Sequence, residues 1–178
     1  VDYGDGGCTD LDGTVRKGLL RLEQNLNDPN SIDLTMTLED FESEGYQVNG
    51  TIITNNVQVD ENTFAITYDF NVRNGVVVTP DGTVLRIEQS YRYLLNLFGF
   101  SLTVTGEARG NLSGADFTYR ILEPIVFTVC PSDIVLPPTG LAEFTWATRP
   151  AVTIDYGDGT CDNEVTLTLG DVTETIRL

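Results

Sequence analysis

The sequence predicts an all-β fold: an antiparallel meander of about a dozen strands forming a sandwich or a strongly curled sheet. Three observations predict it. Apolar residues recur at every second position along most of the chain, Asn-Gly and Asp-Gly dipeptides separate the runs, and only residues 90–98 offer a helical alternative. Period-two alternation sends successive side chains to opposite faces of a sheet, one toward a core and one toward water, which is the habit of antiparallel rather than parallel strands.

Taken in order, Ile32, Leu34, Met36 and Leu38 alternate with Asp33, Thr35, Thr37 and Glu39. Phe64, Ile66, Tyr68, Phe70 and Val72 alternate with Ala65, Thr67, Asp69, Asn71 and Arg73. The same pattern returns at Leu85 and Ile87, at Phe100, Leu102 and Val104, and at Phe117, Tyr119 and Ile121. It closes with Ala142, Phe144 and Trp146, then Val152, Ile154 and Tyr156, then Val165, Leu167 and Leu169. Between the runs, Asn49-Gly50, Asn74-Gly75, Asp81-Gly82 and Asp158-Gly159 are dipeptides that accept the positive φ angles of tight hairpins, so each is expected to turn the chain. About a dozen strands exceed what one open sheet holds without curling or splitting. The proline-rich segment CPSDIVLPPTG, residues 130–140, is a connection or an edge because proline cannot donate to a central ladder. It marks the one conceivable subdomain boundary in what otherwise reads as a single domain over residues 1–178.

At 178 residues the chain is long enough to bury a core, and no run approaches the roughly 18–20 consecutive apolar residues of a bilayer-spanning helix. With 10 basic and 27 acidic residues its net charge is −17, which repels a phosphate backbone and argues against nucleic acid as a partner. The same charge keeps a strand-rich surface in solution.

Three cysteines make one pair and one left over, and with no histidine they form a poor zinc set. The favoured disulfide joins Cys130, which ends a strand-like run, to Cys161, which follows the turn after another; Cys8 is then a free or intermolecular thiol. Three buried, reduced thiols are the alternative.

The pentad DYGDG occurs twice, at residues 2–6 ahead of Cys8 and at residues 155–159 ahead of Cys161. Asp2, Asp5, Asp10 and Asp12 surround the first copy, and Asp155, Asp158 and Asp162 the second. Oxygen-rich glycine loops suit Ca²⁺, so calcium is a possible ligand although none is required. Neither copy has EF-hand spacing, and Asp before Gly is first of all a turn signal. Both loops are expected to cap hairpin ends, with the first and last strands near each other. The second copy follows a strand-like run, AVTI, that the first lacks, so an N-terminal leader is expected to have been lost.

DYGDG resembles the DFGDG signature of PKD-type β-sandwich repeats of extracellular and cell-surface proteins. Over a longer span, VDYGDG, CTDLDGTVRKG, NGTIITNN, TPDGT and TIDYGDGTCDNEVTLTLGDVTETIRL in that order resemble a family of secreted proteins and lipoproteins of Bacteroidota with no assigned activity. The resemblance implies an exported β protein at the outer cell surface or beyond it, a compartment where a Cys130–Cys161 bond persists. It brings no catalytic residues, and no lipobox cysteine stands at the start of this chain.

No enzyme is expected. There is no histidine to act as general base, no G-x-S-x-G elbow and no phosphate-cradling loop, while Glu39, Asp40, Glu42 and Glu44 read as solvated charge. A self-assembling structural subunit at the cell surface is the first expectation. The terminal stretch Glu174, Thr175, Ile176, Arg177 and Leu178 would serve as an inter-subunit strand, and the short run of residues 1–3 would leave room for strand addition. The alternative is a glycan- or ligand-binding β-sandwich module, with Tyr91 and Tyr93 as an aromatic platform if they are exposed.

Overall fold

The computed structural model describes residues 1–24, 32–130, 137 and 139–177. Twelve strands form one antiparallel sheet in which spatial order equals chain order: β1 (Cys8–Thr9), β2 (Val15–Gln24), β3 (Leu34–Ser43), β4 (Tyr46–Asp60), β5 (Ala65–Val78), β6 (Val84–Asn96), β7 (Ser101–Leu112), β8 (Ala115–Phe127), β9 (Thr139–Trp146), β10 (Val152–Asp158), β11 (Glu164–Leu169) and β12 (Val172–Arg177). The expected meander is therefore present. Its sandwich form is not: all strands share one layer, each packs on its sequence neighbours, and among the described residues no pairing closes β12 onto β1 into a barrel. Residues 90–98 are strand as far as Asn96. The sheet runs unbroken past the proline-rich connection, since β8 pairs with β9 from Phe117↔Trp146 to Val126↔Thr139. Of that connection, residues 131–136 and 138 lie outside the described residues.

Register explains how one layer makes a core. One face carries rows such as Tyr68↔Tyr93↔Val104↔Ile125 and Gln89↔Ala108↔Tyr119↔Phe144↔Val152↔Leu169. The other carries Asn71↔Ser90↔Glu107↔Arg120↔Glu143↔Thr153↔Thr168↔Thr173. On the apolar face, large rings alternate with small residues from strand to strand. Tyr91 pairs with Gly106, Phe117 with Gly110, and Tyr119 with Ala108, so each ring lies beside a position that leaves it room. The fit is close: a Cβ on Gly110 would stand 2.6 Å from the Phe117 ring, and one on Gly106 2.9 Å from that of Tyr91. The buried apolar residues are accordingly Val104, Ala108, Ile125, Ala142 and Val165, not the rings that cover them. On the polar face, Arg92 pairs with Asp69 at 3.3 Å and Arg120 with Glu107 at 3.4 Å, exposed cross-strand contacts that contribute some tenths of a kcal/mol each.

A single layer leaves much surface open. The accessible area is 11359 Å² at 19.5 kDa, against about 8,500 Å² from the usual scaling for a folded monomer of this mass.

Two of the four expected turns are bulges inside strands. Asn49-Gly50 lies within β4 and Asn74-Gly75 within β5, each at a register shift. With Gly18 on β2 and Asp40 on β3 they form a line across the sheet. A bulge leaves one amide without a ladder partner, and the next strand supplies it: Asn49 Oδ1 accepts the Asp40 N–H and Glu88 Oε1 accepts the Asn74 N–H, both at 2.8 Å. Two-residue hairpins of type I′ stand instead at Glu44-Gly45 and Ser113-Gly114, where both residues of each pair have positive φ. Asp81-Gly82 does turn the chain, between β5 and β6. Phe64 and Phe100, expected in strands, are turn residues with φ of 52° and 46°. A second bulge line crosses β7–β10 at Gly106, Gly140 and Gly157.

Replacing Gly106, whose φ is 126° and whose Cβ would meet the Ser90 carbonyl oxygen at 2.1 Å, is expected to cost far more than strain alone. Urea unfolding should show a loss of about 2–4 kcal/mol for Gly106→Ala, against about 1 kcal/mol for Gly82→Ala, where φ is also positive but space is open.

Candidate functional site: the repeated bulges, the tyrosine cluster and the free edge

The two DYGDG copies do one job at two places. In the first, Asp2 Oδ1 accepts the Gly4 N–H at 2.8 Å; in the second, Asp155 Oδ1 accepts the Gly157 N–H at 2.9 Å. Each is a side-chain-closed turn ending on a positive-φ glycine, and each throws a backbone kink opposite a glycine of the neighbouring strand. Residues 1–3 run beside β2 around Gly18, with Tyr3 N–H donating to the Gly18 carbonyl at 2.9 Å. Residues 156–157 form the bulge of β10 opposite Gly140 on β9.

The tyrosine between Asp and Gly reaches across that glycine-bearing strand to an aromatic ring on the strand beyond. Tyr3 passes β2 to meet Phe41 on β3, ring centroids 6.0 Å apart and nearly edge-on. Tyr156 passes β9 to meet Tyr119 on β8, hydroxyls 3.4 Å apart. Strands two apart lie about 10 Å from each other, so each contact is made by long side chains leaning toward each other over the strand between. The first copy lies ahead of β1 and caps no hairpin, whereas the second bulges β10 and then opens the β10–β11 hairpin connection at Asp158-Gly159, as expected. The copies do not bring the first and last strands together: β1 and β12 are the opposite ends of the sheet order.

The aspartates are taken up by this local work. Arg16 binds Asp10 and Asp12, each at 2.7 Å, and its guanidinium holds the Asp12 carboxyl well below the usual carboxylate range, helped by the Thr14 N–H. Asp158 accepts the Thr160 N–H at 3.2 Å. Asp162 accepts the Glu164 N–H at 3.1 Å and a bond from the Thr160 hydroxyl, which lowers its pKa. Asp5 lies at the Gly18 bulge beside Lys17 and Asp40. Among the described residues, no three of the candidate calcium ligands come together as a cation site. Of the acidic stretch of residues 39–44, Glu42 pairs with Lys17 at 3.1 Å, Asp40 is a bulge residue and Glu44 a turn residue.

Cys130 and Cys161 are joined, with Cα atoms 5.8 Å apart, across a sequence separation of 31 residues. In the chain-entropy model such a loop stabilises the fold by roughly 3.5–4 kcal/mol. The bond ties the β10–β11 connection, just after the second bulge, to the segment that follows β8. Cys8, in the matching place after the first bulge, is free and exposed.

Tyr91 and Tyr93 stand together on the apolar face of β6, half-buried, their rings 6.3 Å apart and edge to face. Tyr93 also stacks on Tyr68 at 5.1 Å, so these rings take part in the packing. The Tyr119 and Tyr156 hydroxyls meet from β8 and β10, and Tyr91 on β6 is near enough to act on both electrostatically. Burial pushes Tyr91 up to about 12, with the neighbouring Tyr93 and Tyr156 hydroxyls adding to it. Burial, then the bond with Tyr156, takes Tyr119 above the range of an ordinary tyrosine. Sequence alternation indicates the ring-bearing face; the contact of Tyr156 with Tyr119, two strands away, carries no sequence signal of its own.

At the far edge, β12 pairs with β11 only, and five of its six residues are exposed, Val172 at 69%. The β11–β12 hairpin turns on Gly170, whose φ is 58°, and Asp171. In a two-residue hairpin the flanking pair, here Leu169↔Val172, is hydrogen-bonded, so Glu174 and Ile176 face β11 while the backbone groups of Thr173 and Thr175 point outward. The side chains agree: Thr173 meets Thr168 at 3.2 Å and Thr175 meets Thr166 at 3.0 Å, the closer approach of non-hydrogen-bonded pairs. Leu178 lies outside the described residues.

Comparison with known proteins finds no family model, no curated protein and no solved structure that matches this chain. Function is therefore argued from the site itself.

The tyrosine cluster gives a pH signature. The folded state holds the Tyr91 and Tyr119 protons more tightly than the unfolded chain, whose tyrosines titrate near 10. The stability linked to them is complete below about pH 10 and is lost as pH rises through the folded values. In a spectrophotometric alkaline titration, these two tyrosines should ionise only as the fold is lost, and Tyr119→Phe should reduce the late-ionising class.

Proposed function

We propose that this chain is a non-catalytic, self-assembling β-sheet subunit of an exported, cell-surface structure, extended by strand addition at β12. The observation that carries this reading is the edge itself. β12 presents outward amides and carbonyls at Thr173 and Thr175, and over Val172–Arg177 it has none of the lysines, prolines or bulges that ordinarily block edge-to-edge pairing. The complementary edge is the segment of residues 1–3 with β1, which covers β2 only in part. The large open surface of a single-layer sheet supports the same reading, since assembly would cover part of it. The Cys130–Cys161 disulfide fits an oxidising compartment.

Substituting Thr175→Pro removes an outward donor while leaving the ladder to β11 in place, because proline is tolerated where its missing N–H faces away from the sheet. Negative-stain images and sedimentation should show ordered polymers for the wild-type chain and monomers for Thr175→Pro, with both folded by circular dichroism. A wild-type chain that stays monomeric over a wide concentration range would contradict the proposal.

A further inference from the structure

The apolar face of the sheet carries long rows of uncharged residues. One runs from Leu22 on β2 through Ile52, Ala108 and Phe144 to Val172 on β12, and another from Val59 on β4 through Leu95 to Phe127 on β8. The chain has 10 basic and 27 acidic residues, yet neither row holds one, while a single row of the polar face takes Glu107, Arg120 and Glu143. The apolar face is closed to water only in part. Among the described residues no large side chain is fully buried, and Leu22, Val59, Phe127, Leu169 and Val172 on these rows are exposed.

Extent separates this face from the scattered apolar residues of an ordinary surface. Neighbouring strands stand about 4.8 Å apart, so the first row, crossing from β2 to β12, is about 48 Å long. The chain exposes roughly 2,900 Å² more than the usual scaling gives for its mass, whereas a stable interface covers about 800 Å² per partner. Covering less than a third of that excess would meet the requirement.

The occupant of such a face must be broad and apolar, and must bring no charge to these rows. The same face of a second copy meets each condition. Sheets of equal right-handed twist pack face to face at about −30°, about 10 Å apart, with their inner side chains interdigitated. Two-fold pairing sets uncharged rows against uncharged rows and leaves the polar-face charges outward.

We propose that this face is an interface between copies of the chain, in which two sheets stack apolar face to apolar face. The proposal rests on assembly at β12. Single chains of charge −17 repel one another, whereas strand addition lines up many faces, after which each further contact costs little association entropy. The assembled sheet is then two layers thick. Edge and face are separate surfaces, so either contact can be lost alone.

The test is X-ray fibre diffraction and atomic-force height measurement on polymers of the full chain. Strand pairing gives a reflection at about 4.8 Å in one layer or two, and stacked sheets add one at about 10 Å and roughly double the height. Wild-type polymers are expected to show both reflections. Leu22→Glu combined with Val59→Glu puts carboxylates into the stacked face, far from β12 in the sheet order. Its polymers should keep the strand reflection, lose the stacking reflection and have about half the height. Ser90→Glu, at an exposed position of the polar face, should change neither. Leu22 and Val59 are each more than half exposed, so unchanged circular dichroism and thermal unfolding would separate lost stacking from lost folding.

Wild-type polymers one sheet thick would overturn the stacking and leave strand addition standing; if they bind laurate, the face belongs to an apolar ligand instead. Two-layer polymers that survive Leu22→Glu with Val59→Glu, or that Ser90→Glu reduces to one layer, would also overturn it. No polymers at all would overturn the assembly reading and this inference together.

Discussion

Large rings lying over small neighbours on one face of a single sheet are what the rest of this structure depends on. A two-layer protein buries its apolar face against a second sheet; here every strand has only the strands beside it. Burial must then come from side chains leaning sideways, which works only where the adjacent strand offers Gly or Ala. Tyr91 beside Gly106, Phe117 beside Gly110 and Tyr119 beside Ala108 are that arrangement, and Ala142, fully buried, stands on the strand between Tyr119 and Tyr156. Hydrophobic burial scales with the area removed from water, so rings that fold down over small residues recover only part of what a second layer would give, and much apolar surface stays open.

The same constraint accounts for the bulges and for the repeated pentad. Side chains from alternate strands meet only when both are long and lean across the strand between, and the bulges and glycines there leave them room. Two bulge lines cross the sheet, and a DYGDG copy stands at an end of each: at Gly18 for the first line and at Gly140 for the second. Asp closes the turn, Tyr reaches over the neighbouring glycine, and Gly takes the positive φ. The cysteine that follows differs in fate, bonded to Cys130 in the second copy and free in the first. What the bulges cannot do is finish the edges, and β12 is left with a row of outward backbone groups. The link from sequence to proposed function runs through that edge, not through any reactive group.

Much of the fold was legible because period-two alternation survives in a one-layer sheet. The runs at residues 34–38, 66–72, 117–121 and 165–169 all lie in strands. The turns were less legible for a definite reason. Asn-Gly announces a positive φ, and a bulge needs that as much as a hairpin does; at Asn49-Gly50 and Asn74-Gly75 the choice is made by Asn49 and Glu88 bonding amides across strands. Glu44-Gly45 and Ser113-Gly114 turn the chain with less distinctive first residues. The repeated pentad was visible as a motif, but its work was hidden, since a tyrosine reaching a ring two strands away leaves no trace in local sequence.

Amide hydrogen exchange across β11 and β12, followed as protein concentration is raised, tests the central claim of an open, one-layer sheet with an available edge. The account predicts that in dilute solution the Thr173 and Thr175 amides exchange rapidly while those of Glu174 and Ile176, bonded to β11, are protected, and that the first pair gains protection as the chain associates. Thr173 and Thr175 already protected in a dilute monomer would mean the edge is covered within the chain. Their remaining unprotected at every concentration would mean that the edge is free but unused.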